Sequence, residues 1–303
     1  MSGAVGRPTA IGAIDVGGTK VALGLVLPDG RVAARDSLPT EALRSEGRGP
    51  EAAVDALVGL AARASHGLIG VGVAATGRPR GSVLGGLEEL LPAWDGRDIA
   101  AIVAERLSLG CTVENDADAV ALAEHRRGAA AGAEPLVYVT VSTGIGIGVI
   151  VRGELLRGRD GAHPEFGHHV IGGDGPTCRC GSPCLERRAS GRAVEDEWHR
   201  RTGRREGAAS VVRAADADDP TATEVLSSAF RDLAVGLANL AGAFAPEALV
   251  IGGGLGTAFG RILPALEEEL AHRRFVPPVR ILPTSFSTDA GLVGAATVWA
   301  DAA

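Results

Sequence analysis

Near the start of the chain, Asp15-Val16-Gly17-Gly18-Thr19-Lys20 joins two apolar runs through paired glycines. Glycine lets backbone N–H groups come close to a phosphate, and a carboxylate such as Asp15 can hold Mg²⁺ through water. A glycine hairpin with an Asp turn has the same composition, so this segment alone leaves both readings open. Ser142-Thr143-Gly144-Ile145-Gly146 repeats the pattern with two hydroxyls, and Gly252-Gly253-Gly254 follows the apolar run Leu249–Ile251. Three such turns, each at the end of a β-rich run, suit a bound nucleotide better than any one of them does. Lys20 is the chain's only lysine; arginine supplies every other basic side chain, which points to a local need for lysine here.

Asn115-Asp116 lies where an apolar strand gives way to a helical pattern. Asp116 in that position can accept a hydroxyl proton, as phosphoryl transfer to an alcohol requires. Either residue can equally serve as a helix cap. Cys178, Cys180 and Cys184 fall within seven residues, and His168 precedes Cys178 by ten. Three thiolates and an imidazole make a tetrahedral Cys₃His zinc site with no open position, hence structural and not catalytic. In a reducing compartment metal binding is the better reading than disulfides, and Cys111, standing apart, reads as a buried thiol.

These residues need elements to hold them. Ala10–Asp15, Val21–Leu27 and Arg31–Leu38 read as an antiparallel three-strand meander. Helical periodicity follows at Glu51–Arg63, Asp98–Leu107 and Ala117–Arg127, with strands at Leu68–Ala74 and Cys111–Val113 between. Paired strands at Leu136–Ser142 and Gly146–Val151 precede a long irregular stretch, Gly158–Cys184, and long loops in compact domains are usually functional. Helices are expected at Leu185–Arg201, Ala208–Ala215, Thr221–Phe244, Phe259–His272 and Ala290–Ala300, and strands at Leu249–Ile251 and Val279–Pro283. The alternation argues an α/β fold, with the last helix packing back on the first lobe.

At 303 residues, with 46% hydrophobic and 22% charged side chains, the chain has the balance of two globular domains. A net charge of −7 leaves no basic stripe for phosphates along a duplex, so nucleic acid is not an expected partner. Residues 1–14 carry one Arg and a brief apolar run, too short for a signal peptide or anchor, and Leu233–Phe244 holds Asn239 and falls short of the ~20 residues of a membrane span. A cytoplasmic protein with no membrane contact is expected.

With these residues in view, the chain resembles the ROK family of bacterial sugar kinases: glucokinases, fructokinases and N-acetylhexosamine kinases. The family's DxGGTK loop matches residues 15–20, its NDAxA segment 115–119, its STGIGxG turn 142–148, its ExGH motif Glu165-Phe166-Gly167-His168, and its zinc signature Cys178 to Glu186. The resemblance implies a two-lobed actin-like, ribonuclease-H-like ATPase fold with a cleft between the lobes: a small lobe of 8–114 plus 288–303, and a large lobe of 115–287 carrying a zinc-containing sugar loop. It implies ATP with catalytic Mg²⁺ and structural Zn²⁺, and a homodimer or homotetramer. Asp116 is then the base that deprotonates the sugar 6-hydroxyl. Asn115, Asp116, Glu165, His168 and Glu186 bind the sugar; Asp15, Gly17, Gly18, Thr19, Lys20, Thr143, Gly144, Gly252, Gly253 and Gly254 serve ATP. His168, Cys178, Cys180 and Cys184 hold zinc, and the second nitrogen of His168 faces the sugar.

The departures cluster around the sugar. Thr76-Gly77-Arg78-Pro79-Arg80 stands where glucokinase-like members read PGPVD, and Leu90-Leu91-Pro92-Ala93-Trp94 where they read NLPGW. Asp118 replaces the second Asn of NDANA, and Pro183 stands where a glycine precedes the last zinc cysteine. The expected reaction is phosphorylation of the 6-hydroxyl of a gluco-configured hexose, glucose by default. The alternative is an aminodeoxyglucose kinase acting on kanosamine or N-acetylglucosamine, and Asp118, Glu88 and Glu89 would suit a sugar that bears an ammonium group. His163-Pro164 is shared with fructokinase-like members. A ROK repressor would carry a winged helix-turn-helix before the first phosphate loop, and 14 residues are too few for one.

Overall fold

The computed structural model describes residues 8–303, so the reading of residues 1–7 lies outside the described residues. The expected meander is present as β1 (Thr9–Val16), β2 (Lys20–Val26) and β3 (Val32–Pro39), paired antiparallel in that order. On the other side of β1, β4 (Gly67–Ala75) and β5 (Cys111–Asn115) run parallel to it, giving the sheet order β3-β2-β1-β4-β5. Strand alternation sorts the side chains to two faces. Ile14, Val16, Leu23, Val71 and Val73 pack with Leu57 of α2 (Glu51–Arg63) and Ile99 of α3 (Ile99–Leu107). Ile11, Ala13, Ala22 and Ala74 pack with Leu292, Ala295 and Ala296 of α10 (Ala290–Ala302), which returns to this sheet as expected.

This sheet belongs to a compact unit that runs to Ala123 and also takes in Arg157–His163 and Asp289–Ala303. It includes the start of α4 (Asp116–Arg127). The second unit, Glu124–Leu156 and Pro164–Thr288, holds β6 (Leu136–Val141), β7 (Ile145–Val151), β8 (Glu154–Leu155), β9 (Ala248–Gly252) and β10 (Arg280–Pro283). Its order, β10-β9-β6-β7-β8, with β6, β9 and β10 parallel and β7 and β8 antiparallel, repeats the topology of the first sheet strand for strand.

Local chemistry sets the helix limits. Asp98 caps α3 by accepting from Ala101 N–H, and Asp219 caps α8 (Pro220–Phe244) by accepting from Ala222 N–H with Pro220 in the first turn. The single helix expected over 185–201 is two, α5 (Leu185–Ala189) and α6 (Gly191–Thr202). Ser190 between them is extended, and its side chain accepts from Ala193 N–H, so a residue in mid-pattern acts as a cap. Apart from short 3₁₀ turns, α1 (Thr40–Ser45) and β8 have no counterpart in the sequence reading. The helices α7 (Ala208–Asp216) and α9 (Phe259–Ala271) lie within a residue or so of expectation. No helix among the described residues is long and apolar enough to cross a membrane.

Candidate active site

In the first unit, Val16, Ala75 and Asn115 are register neighbours at the C-terminal ends of β1, β4 and β5. Asp15, the Gly17–Lys20 turn, Gly77 and Asn115-Asp116 therefore leave the sheet at one edge, where open α/β sheets place their ligands. Gly17 N–H donates to the Lys20 carbonyl at 3.1 Å, closing the turn, and the Thr40 hydroxyl donates to the Gly17 carbonyl at 2.9 Å. Gly18, Thr19 and Lys20 are exposed at its tip. A Cβ on Gly291, in the first turn of α10, would fall on the Asp15 carboxylate, so glycine lets that helix end approach the acid.

Burial pushes the Asp15 carboxyl up to about 7, with the neighbouring Asp116 charge adding to the effect and Lys20 opposing it. Burial likewise raises Asp116; the Ala117 amide and His163 pull it back, and Asp118 adds to the rise. Two mutually repelling carboxylates beside an exposed lysine form an oxygen donor set that fits a hard divalent cation.

Asn115 is buried and caps α4: its Oδ1 accepts from Ala117 N–H at 2.9 Å and from Asp118 N–H at 3.3 Å. Its Nδ2 donates to the Gly77 carbonyl at 3.2 Å, which joins the altered 76–80 segment to the helix start. Capping thus falls to Asn115 and the next side chain, Asp116, stands at the first helical position. Asp118 is buried, and one oxygen, Oδ2, takes both Arg157 Nη1 at 2.5 Å and His163 Nδ1 at 2.6 Å. Arg157 and His163 thus occupy this oxygen, while Oδ1 is buried without a hydrogen-bond partner among the described residues. Glu88 and Glu89 are exposed. Trp94 is buried with its indole N–H on the Arg48 carbonyl, a core role for the Leu90–Trp94 segment.

In the second unit the parallel neighbours β6 and β9 end together, bringing Ser142–Gly144 and Gly252–Gly254 to one edge. Ser142 and Thr143 are exposed, and the turn is fixed from below by Gly191 N–H donating to the Ser142 carbonyl at 2.7 Å. Gly253 has φ +83°, and a Cβ there would lie 2.5 Å from the Val141 carbonyl oxygen and 2.7 Å from Thr140 Oγ1. Gly253→Ala should therefore cost about 1–3 kcal/mol of stability, measured by urea unfolding; a loss within about 0.3 kcal/mol of zero would refute the packing argument.

Glu186, on α5, accepts from Ile145 N–H at 3.0 Å, so this sugar-site candidate abuts the Ser142–Gly144 turn. Glu165 is exposed, and its carbonyl accepts from His168 N–H. The four expected zinc ligands come together: their donor atoms all lie within 4.8 Å of one another, with His168 Nδ1 3.5 Å from Cys184 Sγ and 3.8 Å from Cys178 Sγ. A zinc tetrahedron with bonds of about 2.0–2.3 Å has nitrogen–sulfur edges of about 3.6 Å, so the cluster fits the ion. Cys178 N–H and Cys184 N–H both donate to the Ser182 carbonyl at 2.9 Å, and Pro183, which has no N–H, sits between them without leaving a donor unmet. Leu185 N–H donates to the His169 carbonyl, tying the two ends of the loop together.

Sequence reasoning missed Arg157, Glu114 and Thr40. The signal for the first two was present as a pair of carboxylates, Glu114 and Asp118, on either side of Asn115-Asp116 with no local cation to balance them.

The model of the ROK family matches residues 11–302. A glucokinase of Streptomyces coelicolor is 33% identical over 312 aligned residues, covering 93% of this chain and 95% of that protein. An N-acetylmannosamine kinase of Escherichia coli is also 33% identical, over 286 residues, covering 94% of this chain and 96% of that one. Among solved structures, a ROK family glucokinase from Streptomyces griseus in complex with glucose and AMPPNP superimposes with a TM-score of 0.80 at 32% identity, over 95% of this chain and 98% of that chain.

Proposed function

The chain belongs to the ROK family, and on that premise we propose that it transfers the γ-phosphoryl group of MgATP to the 6-hydroxyl of a gluco-configured hexose, with glucose the default acceptor. That it is an ATP-dependent sugar kinase of the actin-like fold follows from its relatives and structural neighbours. What supports the finer reading most is the alignment of Asp15 and the Gly17–Lys20 turn at the end of β1 with Asp116 at the end of β5, two parallel strands flanking β4. Asp116 takes the proton of the sugar hydroxyl as its oxygen attacks the γ-phosphorus, and ADP leaves with the electrons of the broken P–O bond. Lys20 answers phosphate charge directly, and Asp15 would hold through water the Mg²⁺ that accompanies ATP, an ion that would neutralise charge on the phosphates. The Thr143–Gly144 and Gly252–Gly254 turns offer ATP hydroxyl and amide donors.

Asn115 and Asp116, with Glu165, His168 and Glu186, supply the hydrogen bonds to the sugar. Asn115 has one amide hydrogen left for it after donating to Gly77. His168 turns Nδ1 toward the cysteines and would bind a metal through it, leaving Nε2 for a sugar hydroxyl. Zinc held by His168, Cys178, Cys180 and Cys184 would supply a fixed loop geometry and no Lewis acidity toward substrate, because protein would fill its four positions. ATP as donor and four cysteines, none of them in a disulfide, suit a cytoplasmic enzyme.

The acceptor is decided by ADP release over glucose, fructose, kanosamine, N-acetylglucosamine and N-acetylmannosamine. Glucose should have the highest kcat/KM. An amino sugar at least about tenfold better, about 1.4 kcal/mol, would replace glucose as the acceptor, and a preference for fructose would overturn the gluco assignment.

A further inference from the structure

Asp116 is held by very little of its own. Its Oδ1 accepts from Ala117 N–H, the next amide along, at 2.9 Å. Its flanking residues are held far more firmly. Glu114, on β5, uses Oε1 to accept from Asn115 N–H at 2.8 Å and Oε2 to meet Arg157 Nη2 at 2.5 Å. Asp118, in the first turn of α4, meets Arg157 Nη1 at 2.5 Å and also donates its N–H to Asn115 Oδ1. One guanidinium therefore grips the strand end before Asp116 and the helix turn after it, while His163 braces the same Asp118 oxygen.

We propose that Arg157 is a positioning residue for Asp116: by holding Glu114 and Asp118 at once, it fixes the strand-to-helix junction from which the base projects. The proposal rests on the reading of Asp116 as the base. The chemistry favours arginine because its planar fork presents two donors in a fixed geometry, whereas a lysine ammonium is a single point charge on a flexible stem. It also accounts for a carboxylate at 118, two residues from the base. A buried, unpaired charge there would be costly, and Arg157 and His163 both pair with its Oδ2. Charged groups around the junction are Asp15 and Lys20 on the hairpin, Glu114 on β5, Asp116 and Asp118 on α4, and Arg157 and His163 on the 157–163 segment.

The test compares Arg157→Gln, Arg157→Lys and Glu114→Gln in the full chain, alone and combined with Asp116→Asn. Misplacing a reacting group by about 1 Å can cost ~100-fold in rate. Arg157→Gln should lower kcat by about 10–100-fold while the KM values for sugar and ATP stay within about threefold. Arg157→Lys should recover only part of the loss, since it keeps the charge and not the fork. In the Asp116→Asn background Arg157→Gln should cost less than about twofold more, because no base remains to be misplaced. Turnover by Arg157→Gln within about twofold of the parent, or an equal fractional loss in both backgrounds, overturns the clamp. If Arg157→Gln does not fold, Glu114→Gln decides. It is isosteric, leaves Asp118 paired, and should lower kcat by about tenfold at an unchanged melting temperature; an unchanged kcat overturns the proposal. Near-normal turnover by Asp116→Asn alone sinks the base assignment, whereas near-normal turnover by Arg157→Gln beside a disabled Asp116→Asn sinks only the clamp.

Discussion

Asp116→Asn should lower kcat by about 10²–10⁴ with sugar binding much less affected. The amide keeps the size and polarity of the carboxylate and can still accept from Ala117 N–H, so the helix start that Asn115 caps should survive. What is lost is the group that takes the hydroxyl proton while the oxygen attacks. Burial holds the Asp116 carboxyl above its ordinary value, so the ionised base is lost as pH falls through a point above the usual carboxylate range of about 3.9. The acid limb of kcat/KM should accordingly lie higher than for an ordinary carboxylate, and it should disappear in Asp116→Asn. Turnover of the variant near that of the parent enzyme would remove Asp116 from the mechanism.

The fold was legible where the pattern is local. Strand alternation from Thr9 to Pro39 and the glycine turns between strands carry their own signal, and the long helix ending at Phe244 shows in its periodicity from Thr221 onward. The repetition of one sheet topology in both units was not legible, because strand order depends on pairings between distant residues and the two halves share no period in sequence. Capping chemistry misled in both directions. Ser190 broke a helix that periodicity had joined, and the Asn115-Asp116 pair, readable as either cap or catalyst, divides the work, with Asn115 capping and Asp116 next to it. The glycine turns and the cluster of His168 with three cysteines were legible because each is carried by a short stretch of chain. Arg157 was not, since its partners lie 39 and 43 residues away and only the folded chain brings them to one guanidinium. Asp118, which by its place beside Asp116 would suit an ammonium-bearing sugar, is buried with Arg157 and His163 on one oxygen, a tie that only the folded chain brings about.

Removing zinc should disable the enzyme by loosening the sugar loop, and this effect is separable from catalysis. Structural zinc contributes about 10–16 kcal/mol of apparent binding energy in small domains, and that energy is folding energy for whatever the ligands tie together. Here the ligands tie a loop with few other supports. His168 ends a short 3₁₀ turn, Cys184 stands just before α5, and the loop between is otherwise tied by the bonds to the Ser182 carbonyl, Gly181 N–H to the Cys178 carbonyl, Leu185 N–H to the His169 carbonyl and Arg188 to the Asp174 carbonyl. Glu186 follows Cys184 by two residues and His168 is itself a sugar ligand in the proposed site, so a loosened loop displaces both. Metal analysis should find one zinc per chain. Cys180→Ser removes an exposed ligand whose loss leaves no buried cavity, so the rest of the fold should be unaffected. It should lose the metal on dialysis, become sensitive to proteolysis within residues 169–184, and show a raised sugar KM together with a lowered kcat, while ATP binding changes little. Proteolysis reads the loop directly, without turnover. A zinc-free enzyme with full activity, or a Cys180→Ser loop that resists protease as the parent does, would mean that the hydrogen bonds around Ser182 suffice and that the four ligands serve another purpose.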